Sequence, residues 1–303
     1  MIKIIDINFQ NQKSAVGCFL IKKEKNIVLI ETGPSLYYNN IKSYLQQISI
    51  DVKDIKHVLV THIHLDHSGG AWKFAKNGAK IYVHPIGAPH LENPERLISS
   101  ASKIYGDKMK QLWGKVDNIN ANNIISVDHN ETINIGNIEI KALHTPGHAN
   151  HHIAWKYENN IFTGDIAGAK IDDGPVLPAC PPPDIDLVKW EQSLNIIKEH
   201  KPKRLYLTHF GRHENISNHI QELQQELEVW SYWVKEKKDK ILDNQSLVNE
   251  FNKFVFNNMK IKKIDDKLIY QYFAANPPYM SVTGLKRYWE KYGATLIGLI
   301  KNH

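Results

Sequence analysis

The sequence predicts a four-layer αββα sandwich of the α/β class, followed by an added helical region at the C-terminus. Up to residue 212, short apolar runs bounded by turn residues alternate with segments of helical periodicity. Strand-rich halves separated by helices are typical of two sheets packed together with helices outside. Beyond residue 212 the apolar positions recur only at helical spacing, which predicts an all-helical extension.

The first half of the chain begins with a meander of strands and continues with strands and helices in alternation. Its predicted elements, in order, are strands at 2–5, 15–21 and 27–30, a helix over 35–48, a strand at 57–60, a short helix after Gly70, a strand at 80–83 and a polar helix over 94–113. The strand at 57–60 is compact and apolar, and it stops at Thr61.

The second half supplies the strands of a second sheet and then helices alone. Its predicted elements are strands at 133–143, 153–155 and 161–163, a Pro-rich loop over 174–183, a helix over 187–199, a strand at 205–207, and helices over 216–234, 246–256, 265–273 and 281–292. The run Asn276-Pro277-Pro278 separates the last two helices, because proline breaks a helix. We therefore expect a main domain over residues 1–212 and a helical extension over residues 213–303.

The composition is that of a folded protein without strong bias. Of the 303 residues 42% are hydrophobic and 23% are charged, which leaves little room for long disorder. The net charge of +6 comes from Lys and Arg residues spread along the chain, so nucleic acid is not an expected partner. The two cysteines, Cys18 and Cys180, are too few for a disulfide framework.

The N-terminal segment lacks the apolar stretch of a secretory signal, and no later run has the length and hydropathy of a membrane span. We therefore expect a cytoplasmic protein with no membrane segment.

A dense group of potential metal ligands directly follows the strand at 57–60. The run His62-Ile63-His64-Leu65-Asp66-His67 holds four such residues within six positions. Alternate residues of an extended segment point to one side, so we expect His62, His64 and Asp66 to converge while His67 turns away with the following loop. Neutral imidazole and carboxylate groups suit zinc and related divalent ions.

Three further segments at predicted strand ends add the groups that this run lacks. A catalytic metal takes about three protein ligands and keeps one position open, so four residues cannot complete two such sites. The additional segments are Thr145-Pro146-Gly147-His148, Thr163-Gly164-Asp165 and Leu207-Thr208-His209-Phe210-Gly211. With them the set reaches five histidines and two aspartates.

These motifs, in this order, resemble those of the metallo-β-lactamase superfamily, in the binuclear branch that includes glyoxalase II-like and lactonase-like hydrolases. The resemblance covers residues 1–212 and implies the αββα fold with two metal ions. By this resemblance the ligands of one metal are His62, His64 and His148, those of the other are Asp66, His67 and His209, and Asp165 bridges the two.

The resemblance further implies a metal-dependent hydrolase that acts on a small-molecule substrate. In such a site a hydroxide that bridges two divalent ions attacks the substrate, and a bridging carboxylate offsets the repulsion between the ions. We expect cleavage of a small ester, thioester or lactone that depends on Asp66. We expect two divalent ions, with zinc ahead of manganese and iron.

Other activities stay open from the sequence alone. A phosphodiesterase or ribonuclease uses the same kind of metal pair, although the chain has neither a basic arm nor a repeated basic and aromatic stripe. A mononuclear-iron oxygenase and a non-catalytic binding protein with a vestigial site are further alternatives. The complete His-x-His-x-Asp-His motif disfavours flavin-linked diiron reductases, and the absence of a signal-like N-terminus disfavours an exported β-lactamase.

Several residues beside the predicted ligands have roles that the sequence leaves open. The turn that contains Glu31 resembles an Asp-x-Gly turn of the superfamily, with Glu31 in place of the acid. His144, His151 and His152 flank a predicted ligand and either orient it through hydrogen bonds or are ordinary loop residues.

The remaining candidates are interpreted as structural. His84 and His90 border a loop with Pro and Gly residues, and Cys180 lies in the Pro-rich loop without a neighbour that would activate a thiol. The helical extension is expected either to narrow the substrate pocket or to form the interface of a homodimer.

Overall fold

The structure is a computed structural model that describes residues 1–241 and 243–300, with side chains described up to residue 293. Two six-stranded sheets pack face to face, and helices cover their outer faces. This is the predicted αββα sandwich. Residues 242 and 301–303, which belong to the predicted helical extension, lie outside the described residues.

The first sheet contains six strands in sequence order. They are β1 (Ile2–Asp6), β2 (Gly17–Lys23), β3 (Asn26–Ile30), β4 (His57–Leu59), β5 (Lys80–Val83) and β6 (Ile124–Ser126). The first three strands are antiparallel, whereas β3 to β6 run parallel to one another. The parallel strands therefore end at one edge of the sheet, where the run from His62 to His67 follows β4.

The second sheet contains the next six strands, again in sequence order. They are β7 (Thr132–Ile135), β8 (Ile138–His144), β9 (Ile153–Tyr157), β10 (Asn160–Gly164), β11 (Arg204–Leu207) and β12 (Gly211–His213). Strands β10 and β11 are parallel and the other pairs are antiparallel. The carboxyl ends of β10 and β11 thus lie side by side, directly before Asp165 and His209.

The inner faces of the two sheets form a buried core. Side chains alternate along β2, so Phe19 and Ile21 lie in this core while Cys18 and Leu20 pack under the outer helices. Across the sandwich the rings of Phe19 and Phe162 are 5.2 Å apart, a favourable aromatic packing distance. Burial of both strand faces explains why β2 is an almost continuous apolar run.

Seven helices of the described chain cover the sandwich. They are α1 (Tyr38–Gln47), α2 (Leu65–Ser68), α3 (Ala71–Lys76), α4 (Ala88–Glu92), α5 (Glu95–Tyr105), α6 (Met109–Trp113) and α7 (Leu187–Glu199). Helix α7 begins where the side chain of Asp186 accepts a hydrogen bond from the backbone N–H of Lys189 at 3.1 Å. Its buried residues Trp190 and Leu194 pack on the sandwich.

The C-terminal extension forms four helices of the described chain. They are α8 (Ile216–Lys237), α9 (Asn244–Ile261), α10 (Asp266–Ala275) and α11 (Pro278–Ile300). The predicted break between the last two helices falls at Asn276 and Pro277. No helix within residues 1–241 and 243–300 has the length and apolar character needed to cross a membrane.

Two buried side chains tie the extension to the Pro-rich loop over 174–183. The hydroxyl of Tyr272 donates to the carbonyl oxygen of Pro175 at 2.6 Å. The side-chain amide of Asn276 donates to the carbonyl oxygen of Pro178 at 2.9 Å. The α10–α11 turn therefore holds this loop in place beside the strand ends.

The structure departs from two predicted elements at glycines. The predicted strand over 133–143 is a hairpin of β7 and β8, because Gly136, with a φ of 60°, and Asn137 form a two-residue turn. The predicted helix over 94–113 is divided into α5 and α6 at Gly106, which has a φ of 50°.

Two strands and two helices were not predicted. Strands β6 and β12 lie at sheet edges and are three residues long, too short for a pattern of alternating hydrophobicity. Helices α2 and α4 have four and five residues, which is shorter than the window in which helical periodicity is visible.

Candidate metal centre

The predicted ligands meet at one edge of the sandwich, in segments that follow strand ends. The run 62–67 follows β4, His148 lies in the loop after β8, and Asp165 and His209 follow β10 and β11. The structure therefore brings together all seven residues that the sequence singled out.

Hydrogen bonds join the two sheets close to this edge. The backbone N–H of Ile153 donates to the carbonyl oxygen of Thr61 at 2.7 Å. The indole N–H of Trp155 donates to the carbonyl oxygen of Val60 at 3.2 Å. These bonds fix the loop after β4 relative to the second sheet, and so position the segments from both sheets against each other.

The run 62–67 is not extended throughout, contrary to the prediction. His64 precedes the helical turn α2, in which the backbone N–H groups of His67 and Ser68 donate to the carbonyl oxygen of His64 at 3.0 and 2.9 Å. The turn redirects Asp66 and His67, so these two residues join a different donor group from the two histidines before them.

His62, His64 and His148 form the first donor group. His62 Nε2 lies 2.9 Å from His64 Nδ1 and 3.2 Å from His148 Nε2, and the last two atoms are 3.1 Å apart. Around a tetrahedral zinc with Zn–N bonds of about 2.0 Å, neighbouring ligand nitrogens are about 3.3 Å apart. The triangle is therefore close to three corners of such a site.

Asp66, His67 and His209 form the second donor group. Asp66 Oδ2 lies 3.6 Å from His67 Nε2 and 3.4 Å from His209 Nε2. Each residue offers one donor atom, and the three atoms lie within 4.8 Å of one another.

Asp165 lies between the two groups. Its Oδ1 is 3.2 Å from His67 Nε2 and 3.4 Å from His209 Nε2, whereas its Oδ2 is 3.5 Å from His148 Nε2. The carboxylate thus presents one oxygen to each donor group.

Hydrogen bonds at the outer ring nitrogens determine which atoms face the centre. His148 Nδ1 donates to the carbonyl oxygen of Ala179, and His209 Nδ1 donates to that of Ala15, both at 2.7 Å. A carbonyl oxygen only accepts, so Nδ1 carries the proton in each ring. In the neutral form both rings then present the Nε2 lone pair to the centre.

Thr61 holds His62 in the same tautomer. Thr61 Oγ1 donates to Glu31 Oε1 at 2.5 Å, and it therefore accepts from His62 Nδ1 at 3.0 Å. The Nε2 lone pairs of His62 and His148 then face each other at 3.2 Å with no proton between them. The two lone pairs repel each other, and a cation bound between them removes this repulsion. A hydrogen bond between the two rings cannot do so, because neither of the facing nitrogens carries a proton.

Two buried polar atoms at the centre have no hydrogen-bond partner within the described residues. They are His67 Nε2 and Asp165 Oδ1, which lie 3.2 Å apart but without the angle of a hydrogen bond. Because nearly all buried polar atoms in proteins are paired, both atoms are suited to a metal ion as their partner. The donor set therefore fits a divalent ion.

Burial and neighbouring groups set the charge states at the centre. Burial and the adjacent imidazoles lower the pKa of His64 to about 3. Burial would lower the pKa of His67 as well, but Asp165 and Asp66 raise it well above its usual value. Burial would raise the pKa of Asp66, but His67 and His209 hold it at about 2. At pH 7 the imidazole of His64 is neutral and the carboxylate of Asp66 is ionised, which are the forms that bind metals, whereas His67 has to release a proton from Nε2 when a metal binds.

A family model described as the metallo-beta-lactamase superfamily matches residues 14–209, which is more than half of the chain and includes all seven donor residues. The chain belongs to the metallo-β-lactamase superfamily. This superfamily match and the cluster of His and Asp donors together support the assignment of the protein as a metal-dependent hydrolase.

Two relatives illustrate the range of the similarity. The metallo-beta-lactamase fold-containing protein ST1585 of Sulfurisphaera tokodaii is 31% identical over 197 residues, which are 62% of this chain and 70% of that protein. A hydroxyacylglutathione hydrolase of Dictyostelium discoideum is 29% identical over 157 residues, which are 48% of this chain. The matched region spans only 46% of the Dictyostelium enzyme.

Solved structures confirm the fold. The crystal structure of ST1585 matches with a TM-score of 0.62 at 28% identity, over 73% of this chain and 84% of that chain. The metallo-beta-lactamase family protein TTHA1429 of Thermus thermophilus matches with a TM-score of 0.72 at 17% identity. This match covers 97% of the present chain and 94% of the other, so the shared fold includes the helical extension.

Glu31 contacts the centre, a role that the sequence left open. Its Oε1 accepts hydrogen bonds from His67 Nδ1 at 3.0 Å, Thr61 Oγ1 at 2.5 Å and Thr208 Oγ1 at 3.3 Å. The side chain is fully buried, and the backbone at Glu31 has a φ of 66°. Glu31 therefore orients His67 by fixing its outer ring nitrogen.

Of the three histidines that flank His148, His152 positions a predicted ligand. The backbone N–H of Asp165 donates to His152 Nε2 at 3.3 Å, and His152 Nδ1 donates to Thr145 Oγ1 at 2.8 Å. Gly164, with a φ of 50°, makes this approach possible, since a Cβ there would lie 2.7 Å from His152 Nε2.

The other histidines near the site have different environments. His144 Nε2 donates to the carbonyl oxygen of Val127 at 2.9 Å, and its ring lies against His84 at 4.0 Å. Both rings are thus engaged away from the donor groups. His90 and His151, in contrast, line the cleft above the centre.

Cys180 is a packing residue, as expected. It is fully buried, and burial raises the pKa of its thiol. Its backbone N–H donates to Ser281 Oγ of α11 at 3.0 Å.

A cleft with a volume of about 510 Å³ opens above the centre. The predicted ligands at its floor are His64, Asp66, Asp165 and His209. Its walls include residues 96–105 of α5, residues 181–184 at the end of the Pro-rich loop and residues 274–280 of the α10–α11 turn. The helical extension therefore narrows the pocket.

Proposed function

We propose that this protein is a binuclear metal-dependent hydrolase that cleaves a small ester, thioester or lactone. The proposed ligands are His62, His64 and His148 for one ion, Asp66, His67 and His209 for the other, and Asp165 for both. Zinc is the proposed metal, because imidazole and carboxylate donors near tetrahedral corners suit it; manganese and iron are the alternatives that metal analysis distinguishes.

The proposal rests mainly on the carboxylate of Asp165. Its Oδ1 faces His67 and His209 at 3.2 and 3.4 Å, and its Oδ2 faces His148 at 3.5 Å. Two close dications repel each other unless anionic ligands lie between them. A carboxylate with one oxygen directed to each donor group supplies such a ligand, and this favours two ions over one.

Two bound divalent ions would polarise the scissile carbonyl and lower the pKa of water to near neutrality. Asp66 is ionised, its side chain is 21% exposed, and it lines the cleft, so it accepts a hydrogen bond from water that enters. Glu31 and His152 hold His67 and Asp165 in place. Each of these residues acts by position and charge, and no serine or cysteine nucleophile is needed.

The cleft supports a small substrate with an apolar part. Its volume of about 510 Å³ lies in the range of small-molecule sites, which is about 300–1,000 Å³. Leu97, Ile104, Leu112 and Met280 are among the apolar side chains in its walls. An acyl chain of a substrate would bury apolar surface against them.

The same cleft disfavours the phosphodiesterase alternative. Among the described residues that line it, Arg96 is the one Lys or Arg side chain. Enzymes that bind nucleic acid neutralise several phosphates with Lys and Arg. A single cation at the wall does not provide such a surface.

A substrate panel tests the proposal. The metal-replete chain is assayed against an aryl ester, an acyl thioester, a γ-lactone, a β-lactam and an aryl phosphodiester. We expect one of the first three to give the highest kcat/KM. Asp66→Asn and Asp165→Asn should each lower that value by about 100-fold or more, whereas Asp107→Asn, on an exposed turn, should leave it unchanged.

Two outcomes would reject the proposal. Preferential cleavage of the phosphodiester would mean that the protein is a phosphodiesterase and not an ester, thioester or lactone hydrolase. Ester, thioester or lactone hydrolysis that persists in Asp165→Asn would mean that the reaction does not depend on the bridging carboxylate and hence not on a binuclear site.

A further inference from the structure

His151 is a buried imidazole in the cleft wall that belongs to neither proposed metal site. It is 8% exposed, and it lines the cleft. Its Nδ1 is buried without a hydrogen-bond partner in the described part of the chain. No hydrogen bond holds this ring to the described part of the chain, so its place in the cleft wall requires another reason.

Neither packing of the loop nor metal binding supplies that reason. His148 and His152, in the same loop, have Nδ1 partners at 2.7 and 2.8 Å. Among the described residues, His151 is in none of the donor groups whose atoms converge within 4.8 Å. Its ring is thus available to a molecule bound in the cleft.

The environments of the two ring nitrogens indicate which of them is the hydrogen-bond donor. An imidazole carries at least one N–H, and Nδ1 is the nitrogen that is enclosed without a partner in the described part of the chain. Buried N–H groups without a partner are rarer than acceptors without one. The enclosed Nδ1 is therefore the acceptor, and the proton is on Nε2.

The ring lies beside the first donor group. Its centroid is 5.7 Å from that of His64 and 6.2 Å from that of His62. A carbonyl group bound next to these histidines is therefore a neighbour of His151. Esters, thioesters and lactones offer only acceptors at the reacting carbonyl, so a donor is the complementary protein group.

We propose that His151 donates a hydrogen bond from Nε2–H to the carbonyl oxygen of the bound substrate. The bond strengthens as negative charge develops on that oxygen during attack, and a fixed donor of this kind stabilises the transition state more than the ground state. This inference rests on the proposed function, because it names the residue that receives the reacting carbonyl.

Two substitutions at His151 test this role in the full-length, metal-replete chain. His151→Phe keeps a ring and removes the N–H, and His151→Gln keeps an N–H donor. With the best substrate of the panel, we expect His151→Phe to lower kcat about 100-fold, with KM within about threefold and an unchanged metal content. His151→Gln should recover about tenfold of that loss. His200→Phe, the same change at the end of α7, should match the wild type.

The kinetic result overturns the inference in two cases. A kcat for His151→Phe within about threefold of the wild type would mean that the N–H does not act on the reaction. A fall in activity that parallels a loss of bound metal would mean that His151 supports the metal centre instead.

Nitrogen-15 NMR of the zinc-loaded protein with labelled histidines gives a readout without turnover. The ring signals of His151 are assigned by their loss in His151→Phe. We expect the Nε2–H tautomer and a shift of that signal on addition of octanoate, a carboxylate with an apolar chain. The Nδ1–H tautomer would overturn the inference whether or not octanoate binds. So would an unmoved His151 signal while His64 and His148 signals shift.

Failure of this inference is distinguishable from failure of the proposed function. If hydrolysis requires Asp165 but has the same rate in His151→Phe as in the wild type, the role of His151 is rejected and the proposed function stands. A wild type that cleaves no member of the panel rejects the proposed function, and the NMR experiment then decides whether His151 contacts a bound carboxylate.

Discussion

Glu31 and His67 form a fully buried pair in which Glu31 Oε1 accepts a hydrogen bond from His67 Nδ1 at 3.0 Å. The pair fixes the outer nitrogen of the imidazole, so His67 Nε2 is directed towards Asp165 Oδ1 at 3.2 Å. The backbone at Glu31 takes a left-handed conformation, with a φ of 66°, which is uncommon for a residue other than glycine. The orientation of one donor group therefore depends on a residue outside the predicted ligand set.

Glu31→Gln should weaken metal binding without unfolding the protein. The amide has nearly the same shape, but it removes the negative charge that supports the basicity of His67. Loss of such a partner typically costs about 10–100-fold in metal affinity. Competition with a chromogenic chelator measures the affinity of each ion.

Glu24→Gln is the matched control, since Glu24 is an exposed glutamate at the β2–β3 turn that also has a positive φ. It should bind metal like the wild type. Equal affinities for Glu31→Gln and Glu24→Gln would show that the buried carboxylate does not support the metal centre.

Metal removal should lower the thermal stability. The folded chain holds His62 Nε2 and His148 Nε2 at 3.2 Å with facing lone pairs, whereas the unfolded chain does not. Metal that binds only the folded state stabilises it by about 2.7 kcal/mol per site at a free concentration of 100 Kd. We expect a lower Tm by scanning calorimetry after chelator treatment, and recovery on addition of zinc.

The same treatment of His148→Asn gives the control for this effect. The variant lacks one donor of the first group, so its Tm should respond less to chelator and zinc. A wild-type Tm that is identical with and without chelator would argue against metal binding in the folded state.

Tyr272→Phe should destabilise the junction between the extension and the Pro-rich loop. The hydroxyl of Tyr272 accepts from the backbone N–H of Ile171 at 2.8 Å and donates to the carbonyl oxygen of Pro175 at 2.6 Å, and it is buried. Leaving these groups unpaired costs about 1–3 kcal/mol in the free energy of unfolding. Urea denaturation measures the loss.

Tyr270→Phe provides the comparison, because Tyr270 is on the same helix and is 62% exposed. It should change the free energy of unfolding by less than about 0.5 kcal/mol. If Tyr272→Phe is as stable as Tyr270→Phe, the extension does not depend on this contact.

His219→Gln should reduce the sensitivity of the fold to acid. Burial lowers the pKa of His219 to about 4, against the hydrogen bond from its Nε2 to the carbonyl oxygen of Ala167 at 2.8 Å. Below pH 6.5 the unfolded chain takes up a proton at this position and the folded chain does not, so the wild type loses stability as the pH falls. Glutamine keeps a donor for Ala167 and does not titrate.

The difference in free energy of unfolding between wild type and His219→Gln should be constant above pH 6.5. Between pH 6.5 and 4 the wild type should become less stable relative to His219→Gln by up to about 3 kcal/mol. Urea denaturation at a series of pH values measures it. A difference that does not change with pH would mean that His219 is protonated equally in both states.

The sandwich and the donor residues could be predicted because local patterns encode them. Buried strands such as β2 are continuous apolar runs, and His148, Asp165 and His209 each stand in a short motif at or near a strand end. The hairpin at Gly136 and Asn137 also had a local signal, since a Gly and Asn pair favours a two-residue turn.

The supporting residues could not be predicted, because their roles depend on contacts between distant segments. Glu31 is 36 positions from His67, and His152 acts through the backbone of Asp165, 13 positions away. The turn α2 is too short to carry a periodic pattern. Cytoplasmic location, the division at residue 212 and a homodimer through the extension stay predictions.

The amount of metal bound per chain tests the binuclear site most directly. Metal-replete wild type and Asp165→Asn are freed of loosely bound ions and measured by elemental analysis against protein concentration. We predict two divalent ions per wild-type chain and no more than one per Asp165→Asn chain, because the bridging carboxylate is lost. One ion or fewer per wild-type chain under saturating metal would contradict the binuclear site.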